Sequence, residues 1–300
     1  ADRQRLVRHL SVFPDGADLP TAERVAVEVG VDGDPALGLG HLVDASLLDV
    51  DLDADPAGRP RYRMLESLRA FGLEQLDADA ERDAAESRLL RWAVEHTAWV
   101  DATLHTPDES LADARLRSEL ANLRAAWALG LRRGALDTAS AIVVALDDAA
   151  QWRDLPEVWG WAQALADHPD LATHDRRAAV LATASDFAWL QGDLVRATRL
   201  ADAAVACAHD DDGRARALLA AGVARLSQGD FRASADLALE AAGLSPHPEH
   251  ARMVAALATA YAGDVVAAAA INAMAVPPSG VTKQAEWEYT EAEMASIDGS

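Results

Sequence analysis

The chain has 300 residues, half of them apolar, with a formal net charge of −22 and one cysteine. That charge repels nucleic acid and anionic membrane over most of the surface, and a lone cysteine excludes an intramolecular disulfide. Lys283 is the only lysine and is followed by Gln284, which excludes a Gly-x-x-x-x-Gly-Lys-Ser/Thr phosphate loop.

Alanine dominates the apolar half, and because alanine costs no side-chain entropy in a helix, the composition favours many closely packed helices. No run of eighteen apolar residues occurs, so no transmembrane helix is expected. The opening Ala-Asp-Arg-Gln-Arg lacks a following apolar stretch and an initiator Met. A cytoplasmic piece of a longer protein is the expectation. Cys207 lies in an Ala-rich run and reads as a small packed hydrophobe. A Schiff-base role for Lys283 is disfavoured beside Pro-Pro-Ser-Gly. No Gly-x-Ser-x-Gly elbow or other positioned nucleophile is visible, so no catalytic residue and no enzyme activity are expected of this chain.

Residues 2–13 read as a helix with Leu6, Leu10 and Phe13 on one face, ended by Pro14-Asp15-Gly16. A second helix runs from Pro20 to Val29 and a third from Pro35 to Ala45, each opened by a proline where its missing N–H costs nothing. The period then drops to two. Leu48, Val50 and Leu52 alternate with Asp49, Asp51 and Asp53, a strand with one acidic face. Asp55-Pro56-Ala57-Gly58 reads as a turn, and Arg61–Met64 as the returning strand. Arg59, Arg61 and Arg63 are placed to pair with the aspartates across the hairpin. Within Arg61–Leu76 the period changes again, with Leu65, Leu68, Phe71 or Gly72, and Leu76 on one helical face. Three helices and a hairpin define a winged-helix domain over 1–77.

Beyond it only helical patterns occur. Residues 78–104 read as one helix with Leu89, Trp92, His96 and Trp99 in a stripe. Residues 108–133 follow, with Leu116, Leu120, Leu123 and Trp127 aligned. These form a linking hairpin over 78–134. Over 135–300 repeats appear: Gln191-Gly192-Asp193-Leu194 recurs as Gln228-Gly229-Asp230-Phe231 and Ala262-Gly263-Asp264-Val265, with Asp298-Gly299-Ser300 a weaker instance. Each Gly turns one helix sharply and each Asp can cap the next. The expected class is therefore mainly α: a winged helix, then an α-solenoid of tetratricopeptide-like repeats cut at its C-terminal end.

A DNA-reading helix needs Arg or Lys. None occurs between Arg24 and Arg59, and the third helix carries Asp34, His41 and Asp44, so direct nucleic-acid binding is not expected. His247-Pro248-Glu249-His250 and His209–Gly213 read as loops rather than metal or calcium sites, and His41 and His96 as helix-packing residues. In such arrays the first helix of each repeat lines the concave side. This places Asp186, Trp189, Arg216, Val223, Leu226, Met253, Leu257, Tyr261 and then Tyr289 in a row able to hold a peptide, protein or small-molecule inducer. The plainer alternative is that Trp189 and Tyr261 pack between repeats.

Four segments carry a family resemblance: Leu10–Gly16, Leu42–Leu48, Arg61–Leu76, and Glu119-Leu120-Ala121-Asn122-Leu123-Arg124-Ala125-Ala126-Trp127. In this order the chain resembles the central and C-terminal part of bacterial STAND-class signal-transduction ATPases, including large SARP- and LuxR-type regulators. The resemblance implies a nucleotide-binding domain ahead of the winged helix as its partner. It implies ATP or ADP as cofactor of that domain and none in this chain, and repeats that sense an inducer. Relatives carry Met-His-Asp at the strand-to-helix joint, the His contacting nucleotide. Here Met64, Leu65 and Glu66 stand there, and Leu65 cannot donate a hydrogen bond. Arg61 and Arg63 are the residues of the joint left to face a nucleotide. The alternatives are a winged-helix DNA-binding factor with a helical dimerisation arm, and a plain tetratricopeptide scaffold.

Overall fold

The computed structural model describes residues 2–32, 34–52, 58–274 and 279–299. It is mainly α, with sixteen α-helices and one three-stranded sheet among the described residues. The chain divides into two compact units, residues 1–100 with 110–142, and residues 101–109 with 143–300.

The first unit opens with a winged helix: α1 (Asp2–Leu10), β1 (Ala17–Asp18), α2 (Leu19–Glu28), α3 (Pro35–Asp44), β2 (Leu48–Asp51), β3 (Arg61–Met64) and α4 (Glu66–Ala78). Asp18 caps α2 by accepting from the Thr21 N–H, and Asp34 caps α3 by accepting from Ala36. Both helices place proline in the first turn, where no intrahelical donor is lost. β2 and β3 pair antiparallel with Leu48 opposite Met64 and Asp51 opposite Arg61. The expected turn at 55–57 and Asp53 lie outside the described residues. The periodicity does not reveal β1, whose two residues are too few to show a period. It pairs with β3, making β3 the central strand.

Two glycines explain why these elements can approach. Gly16 has φ of +73°, and a Cβ there would sit 2.1 Å from the Tyr62 carbonyl oxygen. The chain therefore leaves α1 at Leu10, rather than continuing to Phe13, and turns hard against β3. Gly72 faces α1, where a Cβ would meet Ser11 Oγ at 2.0 Å. Of the face predicted for α4, Gly72 and Leu76 are buried, while Leu65 and Phe71 are exposed. Leu6, Phe13, Val25, Leu39 and Leu48 fill the core, and Phe13 meets Trp92 edge-on at 5.4 Å.

The helix expected over 78–104 starts later. Glu81 precedes α5 (Arg82–Leu104), and Ala80 has φ of +56°, a left-handed residue that breaks it from α4. α6 (Glu109–Arg132) and α7 (Leu136–Ala145) follow.

The second unit contains α8 (Asp147–Arg153), α9 (Pro156–Ala166), α10 (Arg177–Leu190), α11 (Leu194–Cys207), α12 (Asp211–Ser227), α13 (Phe231–Leu244), α14 (Glu249–Tyr261), α15 (Val265–Asn272) and α16 (Val281–Asp298). α10–α11, α12–α13 and α14–α15 are packed pairs, and α10, α12, α14 and α16 form a continuous line of neighbours. Each Gly-Asp does what its chemistry predicts. Gly192, Gly229 and Gly263 have φ of +80°, +81° and +95°. Asp193, Asp230 and Asp264 accept from the backbone N–H three residues on, capping α11, α13 and α15. The small residues of the second helices are buried at Ala197, Ala201, Ala204, Ser234, Ala238 and Ala241. Gly222 lets α12 and α13 close, since a Cβ would lie 3.3 Å from the Ser234 carbonyl oxygen.

Candidate functional site

In the first unit, three segments far apart in sequence meet in one polar knot. Arg61 at the start of β3 is buried. It donates through both terminal nitrogens to Glu119 of α6, at 2.8 and 3.0 Å, and through Nε to the Asp15 carbonyl at 2.7 Å. Asn122, one turn beyond Glu119, donates to Glu119 Oε2 at 2.6 Å and to the Gly16 carbonyl at 3.0 Å, and accepts from the Asp15 N–H at 3.1 Å. Burial pushes the Glu119 carboxyl up, while the Arg61 fork and the Asn122 amide pull it back. Burial likewise opposes the Arg61 charge, and Glu119 and Asp15 outweigh it. At Glu119 burial outweighs its partners, so the carboxyl stands above its ordinary value although three N–H donors converge on it.

This geometry corrects the expected cross-strand pairing. Arg63 does meet Asp51, at 2.7 Å, and also Asp15, at 3.1 Å. Arg61 turns to α6, and Arg59 lies 3.5 Å from Asp18. Arg61 and Arg63 are thus engaged within the winged-helix unit. Leu65 is 63% exposed and gives α4 no side-chain cap, so it is not a core residue of the joint. α3 is exposed at Leu37, Gly40, His41 and Asp44, with no cation among them.

In the second unit, the row expected from the first helices separates into three environments. Trp189 is about one-third exposed and donates from Nε1 to Ser227 Oγ at 2.7 Å. Tyr261 stacks on Phe231 at 5.3 Å and donates to Glu293 at 2.6 Å, a bond that pushes its phenol up to about 12. Tyr289 is exposed. Met253 does not face outward: it is buried against Trp287 of α16, which covers it. Leu226 and Val223 pack on the Ala238–Val254–Ala255 cluster, and Leu257 is half-buried.

Asp186 and Arg216 instead join a cluster that the repeat pattern did not reveal. Arg216 pairs with Asp212 at 3.3 Å and Asp147 at 4.0 Å. Asp147 also accepts from Thr183 at 3.2 Å and Gln151 at 3.1 Å. Asp101, Asp147 and Asp186 all feel the Arg216 charge, yet burial pushes each of their pKa values up. Asp186 is pushed furthest, by burial and then by Asp147. No hydrogen-bond or ion-pair partner for Asp186 occurs among the described residues. Beside this cluster Lys283 bridges Asp148 at 2.7 Å and Glu286 at 3.3 Å, and His250 pairs with Glu286. Only the Asp147-Asp148 doublet and the solitary lysine mark this cluster in the sequence. His250 is thus an ion-pair partner, and no group of three potential metal ligands occurs among the described residues.

The Asp186 environment predicts a measurable pH effect. A carboxyl whose folded pKa is raised contributes stability below its unfolded value and loses that contribution as pH rises through the folded value. Asp186→Asn should therefore be more stable than the parent at pH 8, by about 1–3 kcal/mol for relieving an unpartnered buried charge. The gap should close near pH 4. Thermal melts of both proteins across that range check it, and a pH-independent gap would refute it.

Residues 1–77 match the family described as a winged helix-turn-helix domain. The chain is also similar to the Putative HTH-type transcriptional regulator Mb0914c of Mycobacterium bovis and to the Putative HTH-type transcriptional regulator Rv0890c of Mycobacterium tuberculosis. Each is 39% identical over 137 residues, covering 44% of this chain and 14% of the relative. The chain thus spans about one-seventh of the length of these relatives. No solved structure matches it. The described residues contain no helix long and apolar enough to cross a membrane.

Proposed function

We propose that this chain is the regulatory and sensor region of a cytoplasmic STAND-type bacterial transcriptional regulator. The winged helix couples to, or restrains, a nucleotide-binding domain of the same protein, and the helical repeats receive an inducer or partner. The reading is supported by the similarity to HTH-type regulators and by the order of winged helix and repeated helix pairs. The observation that carries it is the α3 surface. Where a groove-reading helix needs cations, α3 exposes Leu37 at 64%, with His41 and Asp44 beside it. An apolar and acidic face of this kind suits a protein partner. Nucleotide hydrolysis is assigned to that partner domain and not to this chain.

On the repeat side, Trp189, Tyr261 and Tyr289 offer partly exposed aromatic surface, and the same unit carries the acidic cluster at Asp186 and Arg216. That composition favours an inducer with apolar and cationic groups.

The second reading, a DNA-binding winged helix, draws on the similarity to proteins named as HTH-type transcriptional regulators. A gel shift on duplex DNA at several salt concentrations separates the two. Counterion release gives real DNA binding a steep salt dependence. The expected result is no retention that salt weakens. A steep loss of a tight complex with salt would favour the DNA-binding reading, and ATP hydrolysis by the purified chain would defeat the first.

A further inference from the structure

Within the first unit a cavity of about 280 Å³ opens between the β1–α2 segment, the start of β3, α5 and α6. Its α5 wall is an aromatic ladder. Trp92, His96 and Trp99 follow one helical face at spacings of four and three. His96 stacks on Trp92 with centroids 5.1 Å apart and planes at 16°, and Trp99 follows at 6.0 Å. Across from it, Arg115 of α6 lays its guanidinium 4.5 Å from the Trp99 ring centre.

The charges of the cavity can be paired off. Arg61 is held by Glu119, Arg24 by Glu95, and Arg59 lies 3.5 Å from Asp18. Each wall carboxylate therefore has its own guanidinium. Arg115 has no carboxylate partner among the described residues, although its Nε is buried without a hydrogen-bond partner. Nε2 of His96 is buried and unpartnered in the same way. An Arg–Trp stack that served packing alone would leave both nitrogens desolvated and unpaid by any hydrogen bond.

We propose that this cavity binds a small planar aromatic carboxylate, held by the Arg115 guanidinium and by Nε2 of His96. One uncommitted guanidinium matches one negative charge. A dianion would face Asp18, Glu95 and Glu119 with no further cation to meet it. Burial, the largest influence on His96, lowers its pKa to about 4, so at neutral pH the imidazole supplies a hydrogen bond and no second charge. A guanidinium that stacks by its face keeps its edge N–H groups for a carboxylate. The volume of about 280 Å³ falls just below the usual range for ligand pockets, about 300–1,000 Å³, which suits a small ligand, and the ladder favours a flat ring over a branched chain. The site is separate from the repeat row and does not depend on the regulatory reading.

The test is calorimetric titration of the full chain with naphthoate, with naphthamide as the neutral analogue and phenyl phosphate as the dianion. Histidine 15N resonances are followed in parallel. Naphthoate is expected to bind at one site with a Kd below about 1 mM and to move the His96 resonance. Naphthamide and phenyl phosphate should bind at least about tenfold more weakly, the worth of one charge-assisted hydrogen bond. Arg115→Met should lose about tenfold, and Arg115→Lys should recover part of that loss. His96→Phe keeps the stacked ring and removes Nε2, so it tests the contact even if Arg115→Met loosens Trp99. Val266→Ser, at an exposed position of the other unit, should bind as the parent does. The proposal is overturned if naphthoate binding is not saturable, or if naphthamide or phenyl phosphate binds equally well. It is also overturned if both Arg115→Met and His96→Phe bind naphthoate unchanged.

Discussion

Arg61→Ala should destabilise the first unit by about 3–5 kcal/mol, the cost of stranding one member of a buried ion pair. The loss is not that of the Coulomb attraction alone. Glu119 would remain buried with only the Asn122 amide as donor, and the Asp15 and Gly16 carbonyls would lose their guanidinium contacts at 2.7 and 3.4 Å. Those carbonyls belong to the turn that Gly16 presses against β3, so the turn, the central strand and α6 should loosen together. Glu119→Ala should cost a similar amount by stranding Arg61. The double variant Arg61→Met with Glu119→Leu should recover most of the loss, because replacing both partners with apolar groups removes the desolvation penalty as well. Urea denaturation followed by tryptophan emission and near-ultraviolet circular dichroism checks this. The two units need not unfold together, so the transition reporting Trp92, Trp99 and Trp127 is the one to fit. A loss below about 1 kcal/mol in Arg61→Ala would mean the knot is solvated in solution and worth no more than a surface pair.

That knot also shows where sequence reasoning reached and where it stopped. Leu10–Gly16, Arg61–Leu76 and Glu119–Trp127 stand out as separate segments, and their polar residues prove to be one contact. Nothing in spacing could join them, because the hydrogen bond from Asp15 to Asn122 spans 107 residues. Local rules did better. Each Gly-Asp of the repeats specified a left-handed turn and a helix cap, and all three occur, since both effects depend on the immediate backbone. The two strands of the hairpin were legible from alternation, whereas β1 was not, being two residues held only by its pairing with β3. Met253 satisfied the spacing of a groove residue, but spacing does not reveal that Trp287 of α16 lies over it. The charged cluster of the second unit was hidden for the same reason: Asp101, Asp147, Asp186, Arg216 and Lys283 come from five helices.

Lys283→Met should destabilise the second unit by about 3–5 kcal/mol at pH 7. Lys283 is nearly buried, with its ammonium on Asp148 and Glu286 and 5.6 Å from the Trp152 ring. Burial works against its charge, but Asp148 and Glu286 outweigh burial and raise its pKa above 10.5. Burial would likewise raise the Asp148 and Glu286 carboxyls. Lys283 and His105 hold Asp148 below its ordinary value, and His250 and Lys283 do the same for Glu286. The signs then fix the pH window. The lysine contribution is complete below its unfolded value and lost as pH rises through the folded one. The carboxylate contributions are present above their unfolded values and lost as pH falls through the folded ones. The contribution of the Lys283–Asp148–Glu286 contacts should therefore hold a plateau from about pH 5 to pH 10. In Lys283→Met the stranded carboxylates lose their ammonium, so its deficit should be largest on that plateau and shrink as acid protonates them. Adding Asp148→Asn to Lys283→Met should restore part of the loss by removing one stranded charge. Melts from pH 3 to pH 9 on the three proteins check this (about one Tm shift of 2–4 °C per kcal/mol at this size). A deficit of equal size at pH 3 and pH 8 would assign the loss to side-chain packing against Trp152 rather than to the ion pairs.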